Sequence, residues 1–110
     1  MAIVTTRNIK TGDELASAIA STSNVLVDFY KDNCQPCKMV ELLLKQVEDK
    51  SERDLTILKV RLEIVGEEVF RDYEVRSTPT LMFFKDGKMV RSNPGLMNTV
   101  KLLESIKDHF

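Results

Sequence analysis

The chain has 110 residues, 43% hydrophobic and 30% charged, with sixteen basic and seventeen acidic side chains and a formal net charge of −1. That length suits one domain over 1–110 with a buried core and is too short for two ordinary ones. The charges are interspersed with no long basic run, which argues against nucleic-acid or membrane-surface binding as the main task.

The opening "MAIVTTRNIK" lacks the basic flank and apolar stretch of a signal peptide. The longest apolar runs, such as "LMFF" at 81–84, are far too short to span a bilayer. A cytoplasmic protein is the expectation, and such a compartment disfavours a permanent structural disulfide.

In chain order, "AIVTTR" (2–7) predicts a short first strand. Thr11 and Glu14 in "TGDE" form a capping-box pattern that opens a helix to about residue 20. "NVLVDFY" (24–30) predicts a buried strand interrupted by Asp28. From Cys34 to about Lys50, Val40, Leu43, Leu44 and Val47 recur at helical spacing. "LTILKVRL" (55–62) is strand-like, and "GEEVFRDY" (66–73) predicts a short helix. "PTLMFF", "KDGK" and "MVR" (79–91) read as strand, tight turn and strand, because Asp-Gly suits a type I′ hairpin. Asn98 caps a last helix with Val100, Leu103, Ile106 and Phe110 along one face. The order β-α-β-α-β-α-β-β-α implies an α/β fold, a central sheet with helices on both faces and a parallel first part.

"KDNCQPCKMV" (31–40) holds both cysteines, Cys34 and Cys37. A closed zinc site usually needs four ligands, and the one histidine, His109, lies at the far end, where it reads as an exposed or frayed helix residue. A structural staple this short would close a tiny loop and remove little unfolded-state entropy. A working dithiol remains. Cys34 falls at the start of a helix, where unpaired N–H groups and a partial positive charge stabilise a thiolate. Cys37 is one turn on, on the same face, within disulfide reach and more buried. Cys34 is therefore the expected nucleophile, and Cys37 the thiol that resolves the mixed disulfide.

With "VLVDFYKDNCQPCKM" and "VRSTPTLMFFKDGK" at matching spacing, and the glycine of "NPGLM", the chain resembles the thioredoxin family over nearly its whole length. The resemblance implies a mixed sheet of about five strands flanked by about four helices. It implies reduction of protein disulfides as part of cell redox homeostasis, with no bound cofactor. Electrons come from a thioredoxin reductase, and the partners are disulfide-containing proteins. A monomer is expected.

Several residue roles follow from the resemblance. Asp28 matches the family's buried aspartate and would take a proton from Cys37, its acidity weakened by desolvation. Pro79 matches a cis-proline lying against the dithiol, and Thr78 before it inherits backbone pairing with substrate. Gly95 would keep the neighbouring loop low for substrate approach. Lys59 matches a family lysine on the third strand if one residue is inserted before "VFRDY"; it reads equally as a solvent-facing strand lysine.

The departures bear on partner choice. Asn33 stands where the family usually has tryptophan, Gln35 replaces glycine, and Pro36 is kept. The rim that grips substrate should be smaller and more polar. Leu42 replaces a helix-kinking proline and Tyr30 another tryptophan. Two rival readings exist. A glutathione-driven glutaredoxin-type reductase is disfavoured by the C-Q-P-C order. A non-catalytic interaction module would need none of Cys34, Cys37, Asp28 and Pro79.

Overall fold

Side-chain alternation in the central strands decides which helix covers which face. A computed structural model describes residues 2–110. Five strands form one sheet in the order β1-β3-β2-β4-β5: β1 (Val4–Ile9), β2 (Asn24–Tyr30), β3 (Leu55–Arg61), β4 (Thr80–Lys85) and β5 (Lys88–Pro94). The β1–β3 and β3–β2 pairs are parallel, while β2–β4 and β4–β5 are antiparallel. The helices are α1 (Gly12–Ser21), α2 (Gln35–Lys50), α3 (Leu62–Val65), α4 (Glu67–Asp72) and α5 (Thr99–His109).

On one face Val25, Val27, Phe29, Leu58, Val60, Met82 and Phe84 pack with Leu15 and Ile19 of α1 and Phe70 of α4. On the other, Leu26, Leu55, Ile57, Leu81 and Phe83 pack with Val40, Leu44 and Val47 of α2 and with Leu102 and Ile106 of α5. The period of two therefore puts Asp28 (parity of Leu26) and Lys59 (parity of Ile57) on the α2 face, and the parallel register sets them side by side.

Local chemistry explains the boundaries. The Thr11 hydroxyl accepts from the Glu14 N–H, and the Glu14 carboxylate accepts from the Lys10 N–H rather than closing the capping box on Thr11. Asp86 and Gly87 at the β4–β5 turn have φ of +52° and +84°, the pair of left-handed residues that a type I′ turn requires.

The structure differs from the sequence reading in several places. The first strand lies two residues later than "AIVTTR", because its ladder runs from Val4 opposite Leu55 to Ile9 opposite Val60. There are five helices rather than about four among the described residues: Leu62 leaves the strand and starts α3, whose Leu62 and Val65 pack against the core. β5 continues past residue 91 to Pro94, on the sheet edge where proline's missing N–H is tolerated. In α5 the buried positions are Leu102, Ser105 and Ile106, whereas Val100 is 65% exposed, one step off the buried stripe. His109 is half-buried, its ring 5.8 Å from that of Phe83, rather than frayed.

Candidate functional site: a dithiol over a buried carboxyl

β2, the central strand, ends at Tyr30, and residues 31–33 carry the chain from there to α2. Asn33 takes a left-handed φ of +54°, which its short polar side chain tolerates better than most. Cys34 then caps α2, its Sγ accepting from the Cys37 N–H at 3.2 Å. Gln35 and Pro36 occupy the first helical positions, where a missing N–H removes no helix hydrogen bond. Cys34 and Cys37 form a disulfide, their Cα atoms 5.2 Å apart. Both are buried in this oxidised form, Cys34 at 7% and Cys37 at 5% exposure, so the expected difference in burial is slight.

The Thr78–Pro79 peptide is cis, and the Thr78 hydroxyl lies 3.8 Å from the Cys34 sulfur. The Gly95 N–H donates to the Pro79 carbonyl at 2.8 Å, tying the loop after β5 to the start of β4. A Cβ at residue 95 would meet nothing of the protein within 4 Å, but φ there is +83°. The backbone conformation there favours glycine even without crowding from the protein itself.

Beneath the disulfide lies a cavity of about 150 Å³ that Asp28, Tyr30, Cys37, Lys38, Glu41 and Lys59 help to line. Asp28 is 1% exposed and its Oδ1 has no hydrogen-bond partner. Burial pushes its carboxyl up to about 7, against the pull of the Lys59 ammonium and with a smaller push from Glu41. Lys59 is drawn to the cavity mouth: its Nζ is 3.6 Å from Glu41 Oε1 and 5.1 Å from the centre of the Tyr30 ring. It is thus neither free in solvent nor hydrogen-bonded to Asp28.

The rim around the sulfurs is polar, with Asn33 and Gln35 exposed and Thr78 half-buried. Apolar surface is displaced to a groove of about 540 Å³ lined by Met39, Leu42, Leu43, Leu96 and Met97. α2 runs unbroken through Leu42. Among the described residues no group of three or more His, Cys, Asp or Glu side chains is placed to hold a metal ion, and no helix is long and apolar enough to cross a membrane.

The structure thus gathers Cys34, Cys37, Asp28, Lys59, Thr78 and Pro79 in one place, with Gly95 tethered beside them and Asn33, Gln35 and Pro36 around the entrance. Sequence reasoning missed the Thr78 side chain and Glu41. The signal for Glu41 was present: it lies four residues after Cys37, on the same helix face.

A family model described as Thioredoxin matches residues 6–108. A thioredoxin of Mycoplasmoides gallisepticum is 35% identical over 92% of this chain and 99% of its own length. A bifunctional thioredoxin reductase/thioredoxin of Mycobacterium leprae is 32% identical over 84% of this chain and 20% of its own length. The structure of a mutant thioredoxin from Halobacterium salinarum superposes with a TM-score of 0.85 at 28% identity, covering 96% of this chain and 90% of that one. The chain belongs to the thioredoxin family of thiol–disulfide oxidoreductases, enzymes that act on protein disulfides.

Proposed function

We propose that this single-domain protein works as a monomer in the cytoplasm, reducing disulfides of folded protein partners and taking electrons from a thioredoxin reductase. The observation that carries the reading is a disulfide-bonded cysteine pair on a helix N-terminus, beside a cis-proline and above a buried carboxyl. The fused relative of Mycobacterium leprae supports the reductase partner, since its name joins both activities in one chain.

In this reading the Cys34 thiolate attacks one sulfur of the substrate disulfide, and the other leaves and takes up a proton. Cys37 gives its proton to the Asp28 carboxylate and attacks the Cys34 sulfur. The Cys34–Cys37 bond forms, the bond from Cys34 to the substrate breaks, and the second substrate sulfur leaves and takes up a proton. One substrate disulfide has then become a dithiol, and the protein's dithiol has become a disulfide. Lys59 sets the charge near Asp28. Thr78 and Pro79 present backbone to an extended substrate strand, with Asn33, Gln35, Pro36 and Gly95 as its surroundings.

Insulin reduction with NADPH and a thioredoxin reductase, comparing wild type with Cys34→Ser, tests the proposal. Turnover that vanishes in the variant is expected. Absence of turnover in wild type, with dithiothreitol as well as with the enzymatic donor, would overturn it.

A further inference from the structure

Lys59 and Asp28 are neighbours in the sheet, yet the lysine does not satisfy the carboxyl. Asp28 Oδ1 remains unpartnered while the ammonium sits against Glu41 and the Tyr30 ring. Glu41 is where it is because of helix geometry. Cys37 and Glu41, at i and i+4 on α2, both face the cavity that Asp28 floors.

We propose that Glu41, through its ion pair with Lys59, is a positioning residue for proton exchange between Asp28 and Cys37. The inference rests on the reading of Asp28 as the proton acceptor. Glu41 holds the ammonium at the mouth of the cavity and partly neutralises it, so the charge neither seals Asp28 into an ion pair nor makes its carboxylate a poor base.

The remaining polar groups that face Asp28 give no substitute for this. From β2 comes Tyr30; from the following loop, exposed Lys31, Asp32 and Asn33; from α2, Cys37 and Lys38; from β3, Lys59. On the β4 side the register partner is Leu81, which is apolar. Asp32 is turned toward Arg61, 3.8 Å away.

Removing the Glu41 charge acts in one direction by two routes. The repulsion that helps keep Asp28 protonated is lost, and Lys59 is released toward the carboxylate. Both lower the pH at which Asp28 ionises.

The test is the titration of the Asp28 carboxyl carbon by NMR in the oxidised protein, which needs no substrate. Glu41→Gln should move the midpoint from about 7 towards ~6, the size expected of a nearby charge no longer compensated. In a Lys59→Gln background the same substitution should move it clearly less. Asp49→Asn, on the same helix but away from the cavity, serves as the control and should leave the midpoint in place.

An unmoved midpoint in Glu41→Gln overturns the proposal. So does an equal shift in both backgrounds, which would mean that Glu41 acts by its own field and not through Lys59. The pH profile of mixed-disulfide resolution should follow the titration, its rising limb displaced to lower pH in Glu41→Gln. If wild type failed to reduce insulin, the reductase reading would fall while the titration result stood.

Discussion

Replacing Asp28 by asparagine should stabilise the oxidised protein, and by an amount that depends steeply on pH. The carboxyl is 1% exposed with an unpartnered oxygen, and it ionises at about 7 rather than at 3.8. Because the folded state raises this value, the folded protein holds the proton more tightly than the unfolded chain. The penalty for Asp28 is absent below the unfolded value and grows as pH rises from about 4 to about 7. It then levels off, once the carboxyl is ionised in both states. Integrated over that window, it is small at pH 4 and amounts to ~4 kcal/mol at pH 8. Asparagine keeps the shape and removes the charge; its added N–H donors can be hydrated in a cavity of about 150 Å³. Guanidinium unfolding of the oxidised proteins at the two pH values is the assay. At pH 8 the midpoint of Asp28→Asn should exceed that of wild type by roughly 1 M, and at pH 4 the curves should nearly coincide. An equal gain at both pH values, or a loss at pH 8, would refute the account of Asp28 as a desolvated acid.

Three further outcomes follow from the geometry. Thr78→Val removes the hydroxyl 3.8 Å from the Cys34 sulfur and should make the Cys34 thiol less acidic in the reduced protein. Alkylation by iodoacetamide, followed against pH, should then be several-fold slower near neutrality; an unchanged profile would show that the hydroxyl does not touch the thiolate. Gly95→Ala should cost about 1 kcal/mol by chemical denaturation, because a Cβ is disfavoured at φ of +83° even though the space is open. Thr11→Ala should cost about 1 kcal/mol by removing the acceptor that caps α1, with insulin turnover unaffected at a temperature where the variant stays folded.

The fold was legible where the sequence pattern matched one face of one element. "NVLVDFY" is β2 residue for residue, because its buried interior positions on both faces are apolar except Asp28. The same parity argument could have paired Asp28 with Lys59 without any insertion in an alignment, had the β2–β3 register been known. Register is a tertiary property: it depends on which of several parallel offsets buries both strands on both faces. α3 escaped for a related reason. "LEIV" is as apolar as a strand end, and the packing of Leu62 and Val65 against the core accompanies its turn into a helix. The Cys34–Cys37 helix start was readable from spacing and proline position. The cis bond at Thr78–Pro79 was accessible only through family resemblance, since local sequence favours trans. Glu41 was overlooked because a charged residue on a helix reads as solvated until the strand beneath it is known to carry a lysine.

On the proposed mechanism the two cysteines need opposite electrostatic surroundings, and the direction of α2 supplies both. Cys34 must be ionised before substrate arrives. It sits at the helix N-terminus, where the Cys37 N–H already donates to its sulfur and the Thr78 hydroxyl is within reach. Cys37 has no sulfur to attack until the mixed disulfide exists, and a second thiolate beside that of Cys34 is disfavoured by like-charge repulsion. One turn further in, it has left the helix's end groups and lines a cavity with a buried carboxyl on its floor. A second negative charge there is disfavoured unless a proton moves from Cys37 to Asp28. The sequence order therefore assigns the roles. Exchanging them would require reversing the helix, because the first cysteine alone can cap it and the second alone can face β2 and β3.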